Sequence, residues 1–366
     1  MKPTPKRLIT IQKILPYSIV WALGSIIYVL MEKGILADSE LYPSTDLKYS
    51  FDNVVVIVVP FSFLGGTLMG LIEVLVVKPI FQRLPFGSKI IIKAIFYVLM
   101  MMFVLFTVSF TNNSINQSKN FWEPEVVSGV MVFFKSFAFW SVVIYGIFIT
   151  VFIQFYAEVS DSLGPNQLRN FFRGTYHQSK EEERIFMFLD IKGATTLAEK
   201  LGHAKYFTLL QDFFADISDP IIDSWGEIYQ YVGDEVVVSW PKDKGLRNKN
   251  CLQCFFSSKD RIAMNSQKYQ EKFGVVPEFK AGIHLGKVAI GEIGVAKRDI
   301  LFSGDVLNTT SRIQSKCNEF KVDLLVSDDL YNSLTISDAN LLVKEMGECR
   351  LRGKNETVKL LHLSRP

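Results

Sequence analysis

Four long apolar runs in the first 157 of 366 residues constrain the fold more than any other feature of the sequence. They cover about Ile14–Met31, Val54–Val77, Ile90–Phe110 and a longer stretch within Val126–Phe155. A helix needs ~20 apolar residues to cross the ~30 Å hydrocarbon core of a bilayer. We therefore expect residues 1–157 to form an all-α transmembrane domain of four helices, with a lipid bilayer around it.

Basic residues are concentrated before the first run and between the second and third runs: Lys2, Lys6, Arg7, Lys13, Lys78, Arg83 and Lys89. The segment between the first and second runs is mainly acidic, and the segment between the third and fourth runs holds one lysine, Lys119. Because cytoplasmic loops carry an excess of Lys and Arg, the pattern predicts a multi-pass protein of the cell (inner) membrane. Both termini are expected in the cytoplasm.

Two charged residues lie inside the apolar runs, where a charge is costly. Glu73 falls near the inner end of the second run and Lys93 near the inner end of the third. Because the connecting loop is short, we expect the two side chains to lie at one depth and to pair. The sequence leaves open whether such a pair serves signal sensing or only helix packing.

The chain after residue 157 is richer in charged residues, and from Arg184 it alternates strands with helices. Residues 158–183, with a mixed charge cluster at Lys180–Arg184, are interpreted as a cytoplasmic linker. The order that follows is a βαββαβ core with additions, an α+β domain with an antiparallel sheet and helices on one face. Pro277–Gly294 is expected to form two strands around a glycine turn, and Asp299–Phe320 a loop that opens a helix.

The net charge and the positions of the cysteines indicate which partners and which cellular compartment to expect. The net charge of +3 is too small to argue for nucleic-acid binding, so no nucleic-acid partner is expected. All four cysteines lie after residue 250, a pattern more typical of a reduced compartment than of a disulfide framework.

Two aspartates stand at the ends of neighbouring strands. Asp190 ends the first strand, and Asp234 lies at the tip of the hairpin that we expect beside it. Such a pair makes a hard-oxygen site for Mg²⁺ or Mn²⁺. The backbone of the following turn, which includes Gly193, Ala194 and Thr195, offers N–H groups to a phosphate. The pattern indicates a two-metal phosphoryl-transfer site, although a helix cap and an ordinary hairpin residue would give the same spacing.

Five segments resemble the motifs of class III nucleotide cyclases, in the family's order, over about Arg184–Leu363. They read FLDIKGATTLAE, YQYVGDEVVVSW, AGIHLGKVAIGEIG, SGDVLNTTSRI and LRGKNETVKLLHL. The resemblance implies that residues 184–366 form a ferredoxin-like cyclase catalytic domain. It further implies that the chain converts a purine nucleoside triphosphate to a 3′,5′-cyclic nucleotide and pyrophosphate.

The resemblance also implies roles for single residues. Asp190 and Asp234 match the family's metal-binding aspartates, and Ile191 matches the residue that lends a backbone carbonyl to the two Mg²⁺ or Mn²⁺ ions of each site. Asn308 and Arg312 match the pair that positions the ribose and stabilises the transition state. Lys354 matches the lysine that grips the triphosphate. Because the family builds its sites between two catalytic domains, the resemblance implies a homodimer with two composite sites.

The positions that select the base in this family depart from its usual residues. Here they are Gln230 and Leu301. A glutamine can face either purine edge because its amide both donates and accepts hydrogen bonds, whereas leucine offers no hydrogen bond. We favour ATP as the substrate and keep GTP as the alternative. A catalytically inactive nucleotide sensor and a diguanylate cyclase are further rivals.

Overall fold

The structure is a computed structural model of the whole chain, and it describes residues 4–37, 39, 49–81, 84–163, 168, 173–295, 298–334, 341–350 and 357–366. The chain divides into two compact units. One comprises Arg7–Arg169, and the other comprises Asn170–Pro366 together with Met1–Lys6.

The Arg7–Arg169 unit is helical. Its elements are α1 (Pro5–Leu36), α2 (Phe51–Ile72), a π-helical turn (Glu73–Val77), α3 (Lys78–Phe81), α4 (Phe86–Gln117), α5 (Pro124–Lys135) and α6 (Phe137–Leu163). Among the described residues, four stretches are long and apolar enough to cross a membrane: Pro5–Leu36, Phe51–Phe81, Phe86–Ile115 and Phe139–Ser162. The helical N-terminal region with four apolar helices therefore agrees with the sequence.

The fourth apolar run is not one helix, because the chain breaks at Ser136. This residue has extended backbone angles (φ −71°, ψ 150°) between α5 and α6. Its hydroxyl donates to the carbonyl of Phe133 at 2.6 Å and accepts from the amide of Phe139 at 3.2 Å. One short side chain thus satisfies backbone groups of both helices. In place of one helix within residues 126–155, the structure has a short helix followed by a candidate span over Phe139–Ser162.

The Asn170–Pro366 unit is built on one mixed sheet. Its strands are β1 (Lys180–Ile191), β2 (Glu227–Val232), β3 (Glu235–Pro241), β4 (Phe279–Ile293), β5 (Asp299–Ser303), β6 (Leu324–Ser327), β7 (Leu342–Arg350) and β8 (Thr357–Ser364). The order is β2-β3-β1-β4-β6-β8-β7, and β5 pairs with β4. The pairs are antiparallel except for β4 with β6. The central β2-β3-β1-β4 order is that of a ferredoxin-like βαββαβ core.

Seven α-helices and one 3₁₀ helix (Arg247–Lys249) are present in the described part of the unit. The α-helices are α7 (Ala194–Leu201), α8 (His203–Asp223), α9 (Lys242–Leu246), α10 (Asn250–Met264), α11 (Ser266–Phe273), α12 (Asp305–Phe320) and α13 (Asp328–Ser333). Alternate residues of β1 enter two different cores. Met187 and Leu189 pack in the core with α8 and α10, whereas Phe186 and Phe188 pack in a second core with Val306 of α12.

The expectation of helices on one face is therefore wrong, because α12 covers part of the opposite face. Its close approach depends on two glycines of β4. A Cβ added to Gly282 would lie 2.4 Å from the backbone nitrogen of Gln314, and a Cβ added to Gly286 would lie 3.0 Å from the Val306 side chain. These glycines leave room for the helix rather than forming a turn.

Three further expectations differ from the structure. Pro277–Gly294 does not form two strands, since β4 is continuous and pairs with β1 from Phe279 to Ile290. The segment Asp299–Ser303 is a strand, not a loop. The strand β1 begins at Lys180, so the charge cluster assigned to the linker belongs to the sheet. The four cysteines are free in the structure.

Candidate active site

The structure brings Asp190 and Asp234 together at one rim of the sheet. Asp190 is the penultimate residue of β1 and pairs with Glu235 of β3. Asp234 immediately precedes Glu235 in the two-residue turn of the β2–β3 hairpin, where Gly233 adopts a left-handed conformation (φ 64°). Side chains of directly paired residues lie on one face of a sheet, so three carboxyl groups approach each other here.

The carboxyl groups perturb one another strongly. Burial raises the pKa of Asp234 to about 6, assisted by a hydrogen bond to Asp190 and by the negative charge of that residue. Burial also raises the pKa of Glu235 to about 7, with the charges of Asp190 and Asp234 as further causes. This crowding of negative charge would be relieved by a divalent cation.

The donor set fits Mg²⁺ or Mn²⁺. Both ions prefer carboxylate and carbonyl oxygens, and Asp190, Asp234 and the backbone carbonyl of Ile191 supply oxygens of these two kinds from adjoining segments. Among the described residues, no group of three or more His, Cys, Asp and Glu side chains is arranged around one metal position. The aspartate pair is therefore compatible with an ion whose remaining ligands come from backbone, substrate or water. The metal role of these residues stays a prediction.

Two side chains that the sequence analysis missed hold Asp190 in place. Lys280 of β4 lies with its Nζ 3.2 Å from Asp190 Oδ2, and Gln314 of α12 donates from Nε2 to the same oxygen at 2.8 Å. Lys280 also donates to Asn318 Oδ1 at 3.0 Å. Lys280 is 7% exposed and Gln314 is 5% exposed. Knowledge of the β1–β4 register would have revealed Lys280, because it is the direct cross-strand partner of Asp190.

A third missed residue is Tyr206 of α8. Its hydroxyl is buried and finds no hydrogen-bond partner among the described residues. Burial raises the pKa of Tyr206 to about 12, and the charges of Asp234 and Asp190 act in the same direction. A free hydroxyl thus lies near the carboxyl pair, where it can donate to a water or a phosphate oxygen. Its position in an apolar helical pattern gave no signal in the sequence.

The turn after β1 has the form expected for a phosphate cradle. Gly193 is left-handed (φ 64°) and precedes α7, which begins at Ala194. The first N–H groups of a helix, which here include those of Ala194 and Thr195, lack acceptors within the helix and can donate to an anion.

Asn308 and Arg312 share a face of α12 that differs from the face in contact with Asp190. They are four residues apart on α12, so they share one helix face. Asn308 is exposed and Arg312 is half-buried, whereas Thr310 and Gln314 of the same helix are buried. Gln314 contacts Asp190, and the Asn308–Arg312 face is turned away from that contact. Among the described residues, the contacts of Asp190 are with Gln314, Lys280 and Asp234, and neither Asn308 nor Arg312 is one of them.

The two base-selecting candidates lie on β2 and β5, which are not adjacent in the sheet. Gln230 is exposed next to a bulge in β2 and pairs with Val237, whose side chain lies in the second core. Leu301 of β5 is 40% exposed. The rings of Tyr229 and Phe302, which are their chain neighbours, stack at 4.6 Å and thereby join β2 to β5. Lys354 lies outside the described residues.

Comparisons with known proteins agree with this arrangement. Residues 176–363 match the family model described as "Adenylate and Guanylate cyclase catalytic domain". "Adenylate cyclase 2" of Rhizobium meliloti (strain 1021) is 31% identical over 224 residues, which cover 61% of this chain and 61% of that relative. "Guanylyl cyclase C" of Rattus norvegicus is 24% identical over 185 residues, 50% of this chain and 17% of that relative. The chain thus spans about three fifths of the first of these relatives and a smaller part of the second.

A solved structure of a bacterial light-regulated adenylyl cyclase shares the fold. It superposes with a TM-score of 0.53 at 16% identity and covers 63% of this chain and 66% of that one. At this identity the likeness concerns the fold alone.

Proposed function

Because the chain belongs to the adenylate and guanylate cyclase catalytic domain family, we propose that it is a membrane-bound enzyme that converts ATP to 3′,5′-cyclic AMP and pyrophosphate. The observation that carries the proposal is the meeting of Asp190 and Asp234 at one rim of the sheet, with the pKa of Asp234 raised to about 6. Carboxyl groups held together against their own repulsion are typical of functional sites.

Asp190, Asp234 and the carbonyl of Ile191 would hold two Mg²⁺ or Mn²⁺ ions in each site. When bound, these ions lower the pKa of the ribose 3′-hydroxyl and neutralise the triphosphate. Lys280 and Gln314 fix the orientation of the Asp190 carboxylate through their contacts with Oδ2. The backbone amides of residues 193–195 would bind phosphate oxygens, and Lys354 would grip the triphosphate.

The site is completed by a second copy of the chain. Asn308 and Arg312 face away from the aspartates of their own chain, and Asn308 is exposed, as residues that serve a partner must be. In a homodimer with two-fold symmetry each chain would supply aspartates to one site and the Asn–Arg pair to the other. The planar arginine fork would stabilise the charge that develops on the α-phosphate oxygens.

ATP is favoured over GTP as the substrate. The relative at 31% identity is named an adenylate cyclase, and the relative at 24% identity is named a guanylyl cyclase. The exposed Gln230 amide can pair with either base, and Leu301 can contribute only shape. GTP therefore remains the second candidate.

The four apolar helices would anchor the enzyme in the cell membrane. The lysines and arginines of the alternate loops favour an orientation with both termini in the cytoplasm, where ATP is available. A short linker would then join α6 to the catalytic domain.

The direct test offers ATP and GTP separately to the purified full-length protein with Mn²⁺, with the cyclic products resolved by chromatography. Cyclic AMP from ATP is the expected result. Cyclic GMP as the sole product would reverse the base assignment, and nucleotide binding without either product would favour an inactive sensor.

The composite site is tested by mixing two inactive variants. Chains with Asp190→Ala and chains with Arg312→Ala should regain partial activity when co-expressed, because each heterodimer then contains one intact site. In a matched control mixture, chains with Arg261→Ala take the place of chains with Arg312→Ala. Arg261 pairs with Asp219 on the outside of the domain, so this substitution should by itself leave activity unchanged. Absence of rescue in the first mixture would contradict a shared site.

A further inference from the structure

Seven charged residues form a cluster at one end of the helical unit. They are Lys13, Glu73, Lys78, Lys89, Lys93, Glu158 and Asp161, and we call them the charged cluster. The expected pairing of Lys93 with Glu73 is confirmed, with Nζ 2.5 Å from Oε1. The structure adds a second acid that the sequence analysis missed, since Lys93 also lies 2.6 Å from Glu158 Oε1.

The inner part of the cluster is buried and fully paired. Lys93 is 2% exposed, Glu73 is 4% exposed and Glu158 is 7% exposed. Tyr97 donates from its hydroxyl to Glu73 Oε2 at 2.9 Å. One ammonium group therefore serves two carboxylates here, and this part of the cluster carries a surplus of negative charge.

The outer part of the charged cluster carries a surplus of positive charge. The carboxylate of Asp161 is shared by Lys13 at 2.9 Å and Lys78 at 2.5 Å. Lys89 lies 3.7 Å from Glu158 Oε2, a loose contact. The cluster as a whole has four lysines and three carboxylates, so one positive charge is left over. It is located where the side chains of Lys13 and Lys78 are 28% and 30% exposed.

A cleft opens at this surplus charge. It has a volume of about 330 Å³ and is lined by all four lysines of the cluster with Glu158 and Asp161 as the acids. A small adjoining cavity shares Lys13, Lys78 and Asp161 and is also lined by Tyr17. The hydroxyl of Tyr17 is buried and has no hydrogen-bond partner among the described residues, and the residue is 2% exposed. The adjoining cavity is thus lined by two lysines of the cleft and by a residue with a free hydroxyl donor.

We propose that this cleft binds the phosphodiester group of an anionic phospholipid. The lysines lie near the ends of the membrane-crossing helices, since Lys13 is near the start of α1, Lys78 is in α3 and Lys89 is near the start of α4. Basic pockets at this level between helices suit lipid headgroups. A single surplus positive charge complements one phosphodiester, and it disfavours a headgroup that carries its own cation.

The contacts between α6 and the lysines of the charged cluster would depend on bound lipid. Asp161 and Glu158 are on α6 near its end at Leu163, and they compete with the lipid phosphate for Lys13, Lys78 and Lys89. Bound lipid would therefore draw lysines away from α6.

The test measures the lipid that the full-length protein retains from bilayers containing equal parts of phosphatidylglycerol and phosphatidylcholine, by native mass spectrometry. Wild-type chains should retain phosphatidylglycerol selectively. Lys13→Gln and Lys78→Gln should each lower that retention about fivefold, the effect of one lysine at a membrane surface. Lys119→Gln is the matched control, because Lys119 pairs with Glu125 at the opposite end of α4, and it should change nothing.

A variant that should increase lipid retention distinguishes a specific effect on the cleft from a loss of retention through misfolding. Asp161→Asn removes the carboxylate that competes for Lys13 and Lys78, so it should increase the retention of phosphatidylglycerol. The proposal is overturned if Lys78→Gln has no effect, if Asp161→Asn lowers retention, or if phosphatidylcholine is retained equally well. Displacement of the lipid by low concentrations of inorganic phosphate would also overturn it, since the cleft would then be a site for the free anion.

Discussion

Replacement of Asp234 by asparagine should make the metal-free protein more stable while it abolishes activity. The raised pKa of Asp234 means that the folded chain disfavours the charged carboxylate. Above pH 7 this residue is charged in both the folded and unfolded states, so it costs folding free energy. An asparagine side chain would keep the shape and remove the charge. Stability and activity should change in opposite directions because the proposed function requires a cation at this site.

The size of the effect follows from the shift. The pKa rises from 3.8 to about 6, and each pH unit corresponds to about 1.4 kcal/mol. That gives about 3 kcal/mol for a fully shielded group, and partial exposure of Asp234 to solvent reduces it to about 1–2 kcal/mol. For a domain of this size we expect a rise in melting temperature of about 2–4 °C per kcal/mol.

The assay is a melting curve of the full-length protein in EDTA at pH 7.5, for wild type and Asp234→Asn. The gain should shrink as the pH falls through 6 toward 4, because the wild-type carboxyl then becomes protonated in the folded state and its penalty disappears. Addition of Mn²⁺ should stabilise only the wild type. A lower melting temperature of Asp234→Asn in EDTA at pH 7.5 would refute the reasoning.

Asp323→Asn is the matched control for this variant. Burial acts to raise the pKa of Asp323, but hydrogen bonds from Lys192 and Lys259 and their charges outweigh it, so the pKa is lowered. The charged form of this aspartate stabilises the fold at pH 7.5. Asparagine at this position should therefore lower the melting temperature. The difference should shrink once the pH falls below the ordinary pKa of an aspartate and disappear below the lowered pKa of the folded state.

Three other perturbations have defined outcomes. Gly282→Ala should destabilise the protein by about 1–3 kcal/mol and lower cyclase activity, because the Cβ of the new alanine would lie 2.4 Å from the backbone of Gln314. An unchanged melting temperature and unchanged activity would contradict the close packing. The wild type should bind Mn²⁺ about tenfold more weakly at pH 5 than at pH 7, because Asp234 becomes protonated. The affinity is measured by titration of the paramagnetic ion, and a constant affinity would contradict the raised pKa. Lys93→Met should destabilise the helical unit by about 3–5 kcal/mol, since it leaves buried Glu73 without its cation and Glu158 with only the loose contact to Lys89. The control variant Lys135→Met changes an exposed lysine and should melt like the wild type. Equal losses of stability in both variants would contradict a stabilising role of the buried ion pairs.

The part of the site that depends on local pattern could be predicted from the sequence. The run of large apolar residues in β1 and the Gly233–Asp234 turn define a buried strand and a tight hairpin. Once these two elements pair, Asp190 and Asp234 meet at one rim, as observed. The prediction needed no knowledge of distant contacts, because each aspartate stands at the end of its own element.

Contacts between distant segments could not be predicted in this way. A glycine within a strand often marks a turn or a bulge, so the sequence around Gly282 and Gly286 favours a turn. Their actual role depends on α12, whose Gln314 follows Gly282 by 32 positions in the chain. The same limit explains why Glu158 was missed as a partner of Lys93, from which it is 65 residues away.

The two faces of α12 explain why the composite arrangement is difficult to derive from one chain. One face carries Gln314, which binds Asp190, and a different face carries Asn308 and Arg312. In the proposed dimer this single rigid helix would therefore orient the aspartate of its own site and also the transition-state pair of the other site. Because α12 rests on Gly282 without room for a methyl group, a shift of the helix would alter both sites together. Any signal that moves β4 relative to α12 would consequently act on the two active sites as one unit.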